Sequence, residues 1–591
     1  MSDRYYLEEY NYLLETGREF ARQFPHQAAM LNLEDYRGRD PNVERLLEGF
    51  AFLVSRIRKR LDDDLPEVFE GLVSQLWPDL LRPIPSFCMM EFRPVMLSDI
   101  PDGQEVAAGS EIDSQPLEGK PGCRFRTCFG TTVIPAIIEK VATRSSGSRS
   151  FMTLSLRFGK KVDPIQLLSH RIRVQFVGQL ETGWQLYHLL FGTKDGHRLF
   201  EGASVSLPGQ SSESPKTGTS AVAPIGLTES EALTPSAGQS LWVYGLLREY
   251  FLFPEKFLGF DLDLSSVAGS ASGAREHFDV GLEFRHPWPS NLRLSAENLR
   301  TNCVPAVNLF SRDSEPIQVD HRHSEYSLVA DMQQPDFYQV YSIDTVDGIM
   351  VGSGKRRRYQ PFYAFREQVT GDADTEDGPF YLIRREVSTF GGWQTYLTPA
   401  QTLPKGAFPE EEVLSIGVTC SNGHHAFRVG PGQINRPISG SLLNLRPVNI
   451  TQPTRPIFPE LGDKNATRWL GHASLNFMGV PSALELRNLL ALYEVSGQEA
   501  NRRKIKGIKK VQVRSTRELL RGVPVFCNLV EVTISERNFG GSGDILLLAN
   551  TLGAFIGVYA GINALVKLVV KLDPSGETIC VSPTRGIRRA L

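Results

Sequence analysis

The chain has 591 residues, 41% of them apolar and 22% charged, the make-up of a folded protein with several domains and not of a disordered one. Its 64 lysines and arginines nearly cancel its 67 aspartates and glutamates, leaving a net charge of −3 and no global field to draw it to nucleic acid or anionic lipid. Seven scattered cysteines make no disulfide framework, and the opening Met1-Ser2-Asp3-Arg4-Tyr5 lacks the basic-then-apolar pattern of an export signal, so the expectation is a cytoplasmic protein.

Helical periodicity dominates residues 5–81. Tyr6, Tyr10, Leu13, Gly17, Phe20 and Phe24 alternate steps of four and three, which puts all six on one helix face, with Glu8, Glu15, Arg18, Glu19 and Arg22 on the others. Asp40 and Pro41 form a good N-cap and first helical position. Val43, Leu46, Leu47, Phe50, Val54, Ile57 and Leu61 follow as a second stripe, which ends among Arg56, Arg58, Lys59 and Arg60, where the helix dipole favours cations. A third helix starts at Pro66, carries Phe69, Leu72, Leu76 and Trp77, and stops at Pro78 and Pro83. Such stripes serve equally as the core of a three-helix bundle and as seams for helices of another chain, and spacing leaves both open.

After Pro85 the texture changes to short alternating runs separated by glycine, proline, aspartate and serine. Strands are predicted at 87–92, 104–112, 124–133, 151–158 and 171–177, with a helix over 180–191. The Ser/Pro-rich stretch 209–240 reads as an exposed loop. The segment from Leu241 to about Asp263 is the densest aromatic patch; Trp242, Tyr244, Tyr250, Phe251, Phe253, Phe257 and Phe260 belong in a core, with Pro254 breaking a helix from a following strand. A second Gly/Ser loop is expected at 265–273, then strands at 277–284, 318–330, 359–365, 380–387 and 413–420. The last part reads as a helix at 481–493, strands at 509–514 and 525–535, and one long apolar helix over 544–572. The expected organisation is α+β and multidomain: a helical, bundle-forming region 1–85, a β-rich domain 86–300, a second β-rich domain 301–475 and a mixed α/β domain 476–591.

Few features carry chemistry. The run 545–566 has no charged residue and spaces Gly553, Gly557 and Gly561 by four, which meets the length of a membrane span. Asn550, Thr551, Asn563 and the glycines lower its hydrophobicity, no second span or flanking basic cluster accompanies it, and a buried helix that admits a neighbouring backbone is the favoured reading. Gly540, Gly541 and Gly543 lack the Lys-Ser or Lys-Thr of a phosphate loop. Gly352-Ser353-Gly354-Lys355 lacks its first glycine and ends in Arg356, so both read as turns and helix starts. On a strand, His321 and His323 beside Asp320 would share a face that a metal could accept; neither they nor His424 and His425 have a completing ligand set, and Cys123 and Cys128 lack a second pair. Two basic clusters, Lys355–Arg358 ahead of Tyr359, Phe362 and Tyr363, and 502–510, offer single-stranded nucleic acid a handle, though with balanced total charge a solvated loop or the rim of an interface is the commoner use. No nucleophile-elbow or zinc-protease signature occurs, so no catalytic, cofactor or metal site is assigned.

Several blocks taken together resemble the type VI secretion baseplate family TssF, also labelled ImpG or VasA. They are DPNVERLLEGFAFLVSRIRKRLDDDLPE from Asp40, QLWPDLLRPIPS from Gln75, VYGLLREYFLFPEKFLGFDL from Val243, CVPAVNLF from Cys303, WLGHASLNF from Trp469, LELRNLLALY from Leu484, RGVPVFCNLVEVTISERNFGGSGD from Arg521 and FIGVYAGINALVKLV from Phe555. None is a catalytic motif, and they span essentially the whole chain. The resemblance implies a non-enzymatic, phage-tail-like scaffold. Two copies would join one TssG in a wedge, six wedges would surround the spike hub protein VgrG, and the adaptor TssK and sheath initiator TssE would attach. It implies contacts of the chain with itself, recruitment to the inner-membrane-associated secretion complex, no nucleic acid and no membrane span. Of the residues, the stripe Tyr6, Tyr10, Leu13, Gly17, Phe20 and Phe24 is the expected partner interface.

Overall fold

The computed structural model describes residues 6, 7, 9–13, 15, 16, 20, 41–56, 82–194, 196–208, 215–234, 242–362, 379–388, 392–400, 410–459, 482–520, 523–557, 564–581 and 583–585. The chain divides into two units, Met1–Leu81 with Glu460–Gly471, and Arg82–Pro459 with His472–Leu591. Helices and sheets both contribute, in the expected α+β architecture.

In the smaller unit 41–56 is helical, following the proline start at Pro41. The predicted third helix lies outside the described residues.

The larger unit is organised around the strand Phe87–Pro94, buried along FCMMEF on both faces. Side chains alternate across a strand. Phe87 and Met89 therefore enter one core with Phe253, Val307 and Leu309, while Cys88, Met90 and Phe92 enter another with Phe125, Val304 and Ile434. The strand pairs antiparallel with Cys303–Val307 on one side and, on the other, with Leu445–Asn449, the edge strand of a six-stranded sheet. The predicted strands 104–112 and 124–133 are each two strands, Gln104–Val106 with Glu111–Ser114, and Arg124–Thr127 with Thr131–Val133, broken at Gly109 and Gly130.

Two four-stranded sheets follow. One orders Phe200–Ser206, His277–Phe284, Arg149–Phe158 and Ala136–Ser146; the other orders Val222–Pro224, Gly259–Leu262, Ile172–Phe176 and Leu299–Thr301, so position 300 lies inside a sheet. The expected loop 209–240 thus holds a strand, with Ala221, Ile225 and Leu233 buried; 209–214 and 235–240 lie outside the described residues. The expected loop 265–273 is a 3-10 helix, Ser265–Ala271, because Val267, Ala268 and Ala271 have core to fill. Next, Phe310–Asp313, Glu412–Ser421, Gln339–Met350 and Arg356–Arg358 form a sheet whose Val346, Ile416 and Val418 share a core with Leu328 and Leu397 of the sheet Tyr326–Leu328, Trp393–Ala400, Phe380–Val387 and Gln360–Pro361.

The C-terminal sheet orders Ile508–Leu520, Val523–Ser535, Ala564–Asp573 and Thr578–Cys580. The expected helix over 544–572 is corrected: it runs Ser542–Ile556, and Ala564–Asp573 is a strand parallel to Val523–Ser535. The charge-free run 545–566 covers the helix and the start of the second strand of a strand-helix-strand crossover, and the β-branched Val566, Val569 and Val570 fit a pleat better than a helix. Among the described residues no helix is long and apolar enough to cross a membrane.

Candidate functional site

In the smaller unit, the Tyr6 and Tyr10 rings stack at 5.9 Å between centroids and 11° between planes. The Tyr10 hydroxyl donates to Glu44 Oε1 at 3.4 Å, which ties the first stripe to the helix 41–56. Partial burial, then Glu44 and Glu48, push the Tyr10 phenol above its ordinary pKa. Tyr6, Tyr10 and Leu13 are half-buried, Phe20 is exposed, and Gly17 and Phe24 lie outside the described residues.

The second stripe splits in two. Val43, Leu47 and Val54 are half-buried and Ala51 and Ser55 buried, so these positions form the inner face. Leu46, Phe50 and Leu53, at steps of four and three, are 73%, 57% and 60% exposed and form an outer apolar row. Sequence reading merges the two because Leu46 and Leu47 are adjacent; on a helix they stand about 100° apart. Each such side chain gains about 1.5–3 kcal/mol when fully covered, so the outer row has the chemistry of a docking face.

The larger unit is pinned by buried charge. Asp544 sits in the first turn of Ser542–Ile556, where the helix dipole favours an anion. It is fully buried; Oδ1 accepts from the Tyr250 hydroxyl at 2.7 Å and from Lys504 Nζ at 2.8 Å, and Oδ2 from the Gly540 N–H at 3.1 Å. The ammonium of Lys504 also lies 4.8 Å from the centre of the Trp184 ring and 5.0 Å from that of Tyr250, inside cation–π range. Burial, then the Asp544 charge, raise the Tyr250 phenol well above its ordinary pKa. The group joins Trp242–Leu252, Glu499–Lys506 and Ser542–Ile556. It also explains the glycines: a Cβ on Gly540 would stand 2.0 Å from a ring carbon of Trp184, and one on Gly543 1.9 Å from the Trp184 carbonyl oxygen. They admit a close approach to Trp184. A second buried pair, Glu249 with Lys256, is completed by the Leu233 N–H, 2.8 Å from Glu249 Oε1.

These contacts draw one cation out of each basic cluster, while Lys355, Arg356, Arg358, Arg502, Arg503, Lys506, Lys509 and Lys510 stay exposed. Lys504 leaves the 502–510 cluster for the core. In the other cluster Arg357 pairs with the fully buried Glu412 at 2.7 Å, and the buried Tyr359 hydroxyl donates to the same carboxylate. Gly352–Lys355 is the turn between Gln339–Met350 and Arg356–Arg358, with Gly354 at φ +66°. His321 and His323 lie in a bend and not on a strand: the His321 N–H donates to Tyr326 Oη at 3.0 Å, and Asp320 accepts from the Tyr326 hydroxyl at 2.9 Å. His425 Nε2 lies 3.2 Å from Lys120 Nζ, and the His424 ring packs tilted against Phe458 at 5.4 Å between centroids. Burial pushes the Cys123 thiol up to about 12. Among the described residues no three histidines, cysteines or carboxylates gather as a metal site.

Sequence reasoning missed the buried lysines, since lysine reads as surface by default. The available signal was Asp544, a lone carboxylate between three glycines and an uncharged helix.

Comparison with known proteins agrees along the whole chain. The family model described as "Type VI secretion system, TssF" matches residues 2–589. A curated protein of Pseudomonas aeruginosa, "Type VI secretion system component TssF1", is 27% identical, over 97% of each chain. A chain of the TssK-TssF-TssG baseplate subcomplex solved by cryo-electron microscopy superposes with a TM-score of 0.75 at 29% identity, over 92% of this chain and 99% of that one. A chain of a type VI secretion baseplate complex gives a TM-score of 0.62 at 26% identity over the full length of both.

Proposed function

The chain belongs to the TssF family of the type VI secretion system, and on that premise we propose that it is a structural scaffold subunit of the baseplate, two copies assembling with one TssG into a wedge around the spike hub VgrG. The wedge supports sheath assembly and contraction, TssK and TssE attach to it, and copies of this chain meet one another. The assembly is cytoplasmic and recruited to the inner-membrane-associated secretion complex. The chain performs no catalysis and carries charge inside its core to hold shape.

The observation that carries this reading is the agreement, over 92% of this chain, with a chain of a TssK-TssF-TssG subcomplex. The helical unit supplies the physical means: the stripe Tyr6, Tyr10, Leu13, Gly17, Phe20 and Phe24, together with the exposed row Leu46, Phe50 and Leu53, offers apolar surface of the kind obligate interfaces bury. Native mass spectrometry of the chain co-expressed with TssG from the same genome tests it. A complex of two copies to one is expected, lost in the variant L13D/F20D; a monomer indifferent to TssG overturns the assembly.

A further inference from the structure

The strand Ile508–Leu520 is an edge: among the described residues its one strand partner is Val523–Ser535. Roughly every second residue of an antiparallel edge strand turns its N–H and C=O outward, so this long strand presents a row of open donors and acceptors. Val513 is 42% exposed on it and Phe526, on the partner strand, 63%; both lie on the face that carries the buried Val530 and Val532, so this apolar face continues past the core it serves.

Charge selects what can pair there. Lys510 and Arg514 project from the same face as Glu531, which already accepts Lys571 Nζ at 2.9 Å. The Glu531 carboxyl is held below its ordinary range by Lys571, with Arg514 and Lys510 contributing, so one carboxylate stands among three cations and two positive charges are left over. Lys509 is taken by Asp573, and Arg517 lies 5.2 Å from the Phe526 ring. Two copies of this edge paired with Lys510 opposite Arg514 would set cation against cation, which disfavours self-pairing in that register. An acidic strand gains both the ladder and the charge.

We propose that Ile508–Leu520 is a docking edge for an extended, acidic segment of a partner protein, added as a further strand of the C-terminal sheet with its carboxylates on Lys510 and Arg514. The site stands on this geometry and does not depend on the TssG interface.

Hydrogen–deuterium exchange on the full chain tests it, with two nine-residue peptides as probes, one alternating glutamate with valine and the other lysine with valine. The glutamate peptide is expected to slow exchange in 508–520 by roughly tenfold, while the lysine peptide leaves it unchanged. In the variant K510E/R514E, shown folded by circular dichroism, the preference reverses. Unaltered exchange with the glutamate peptide, equal protection by both peptides, or protection that survives the charge reversal would each overturn the proposal. The two-peptide comparison on the unaltered chain decides the matter even where the variant fails to fold.

Discussion

The Lys504 ammonium and the Asp544 carboxylate meet at 2.8 Å where almost no water reaches, their side chains 8% and 0% exposed. Such a pair repays its desolvation only while both members are present. Lys504→Met or Asp544→Asn alone is expected to destabilise the larger unit by about 3–5 kcal/mol, since either leaves a buried charge or polar group unmatched. The double variant should recover part of that loss, and equilibrium denaturation of all three proteins measures the coupling.

Glycine is used in two opposite ways. Gly543→Ala drives a Cβ to 1.9 Å from the Trp184 carbonyl oxygen, a backbone atom with little freedom to move, and should cost more than about 3 kcal/mol or prevent folding. At Gly245, inside the helix Trp242–Leu252, an added Cβ would meet no neighbouring atom within 4 Å, so Gly245→Ala should stabilise by about 0.5–1 kcal/mol. Thermal unfolding separates the two.

Leu46→Asp with Phe50→Asp alters a row that is mostly exposed, so the melting temperature of the isolated chain should hardly move, within about 0.5 kcal/mol. Co-purification with TssG should fall sharply. A large loss of stability with binding retained would assign the row to the chain's own packing.

Burial, then the neighbouring His286, hold the His188 imidazole below its ordinary pKa of 6.5. The folded protein therefore keeps this ring neutral where the unfolded chain binds a proton. Its contribution to stability is present above pH 6.5 and lost as pH falls below it, with a slope of at most about 1.4 kcal/mol per pH unit. Denaturation between pH 7.5 and 5.5 should show a smaller slope in His188→Asn.

Much of the fold was legible where order is local. The helix Leu180–Phe191 and the strands His277–Phe284 and Phe380–Val387 occupy the residues at which periodicity places them. The family resemblance was legible too, because its blocks are linear. Three things escaped for physical reasons. Strand pairing is non-local, so nothing near Met90 announces Asn449 as its partner. A charge-free run does not distinguish a helix from a helix followed by a buried strand, which hid the change of structure between Ile556 and Ala564. An apolar stripe does not say which side is covered, so Leu46 and Leu47 share one stripe in the sequence although one faces out and the other in.

The strand Phe87–Pro94 also bears on how the protein is made. One of its neighbours, Leu445–Asn449, leaves the ribosome long after it, and at about 5–20 residues per second the delay is on the order of tens of seconds. Throughout that interval a strand apolar on both faces has at least one side of its ladder open, and both sides until Cys303–Val307 is made. Its need for a holding chaperone during synthesis, and the risk of its capture by another nascent chain, are set by the distance between two strands that end up side by side.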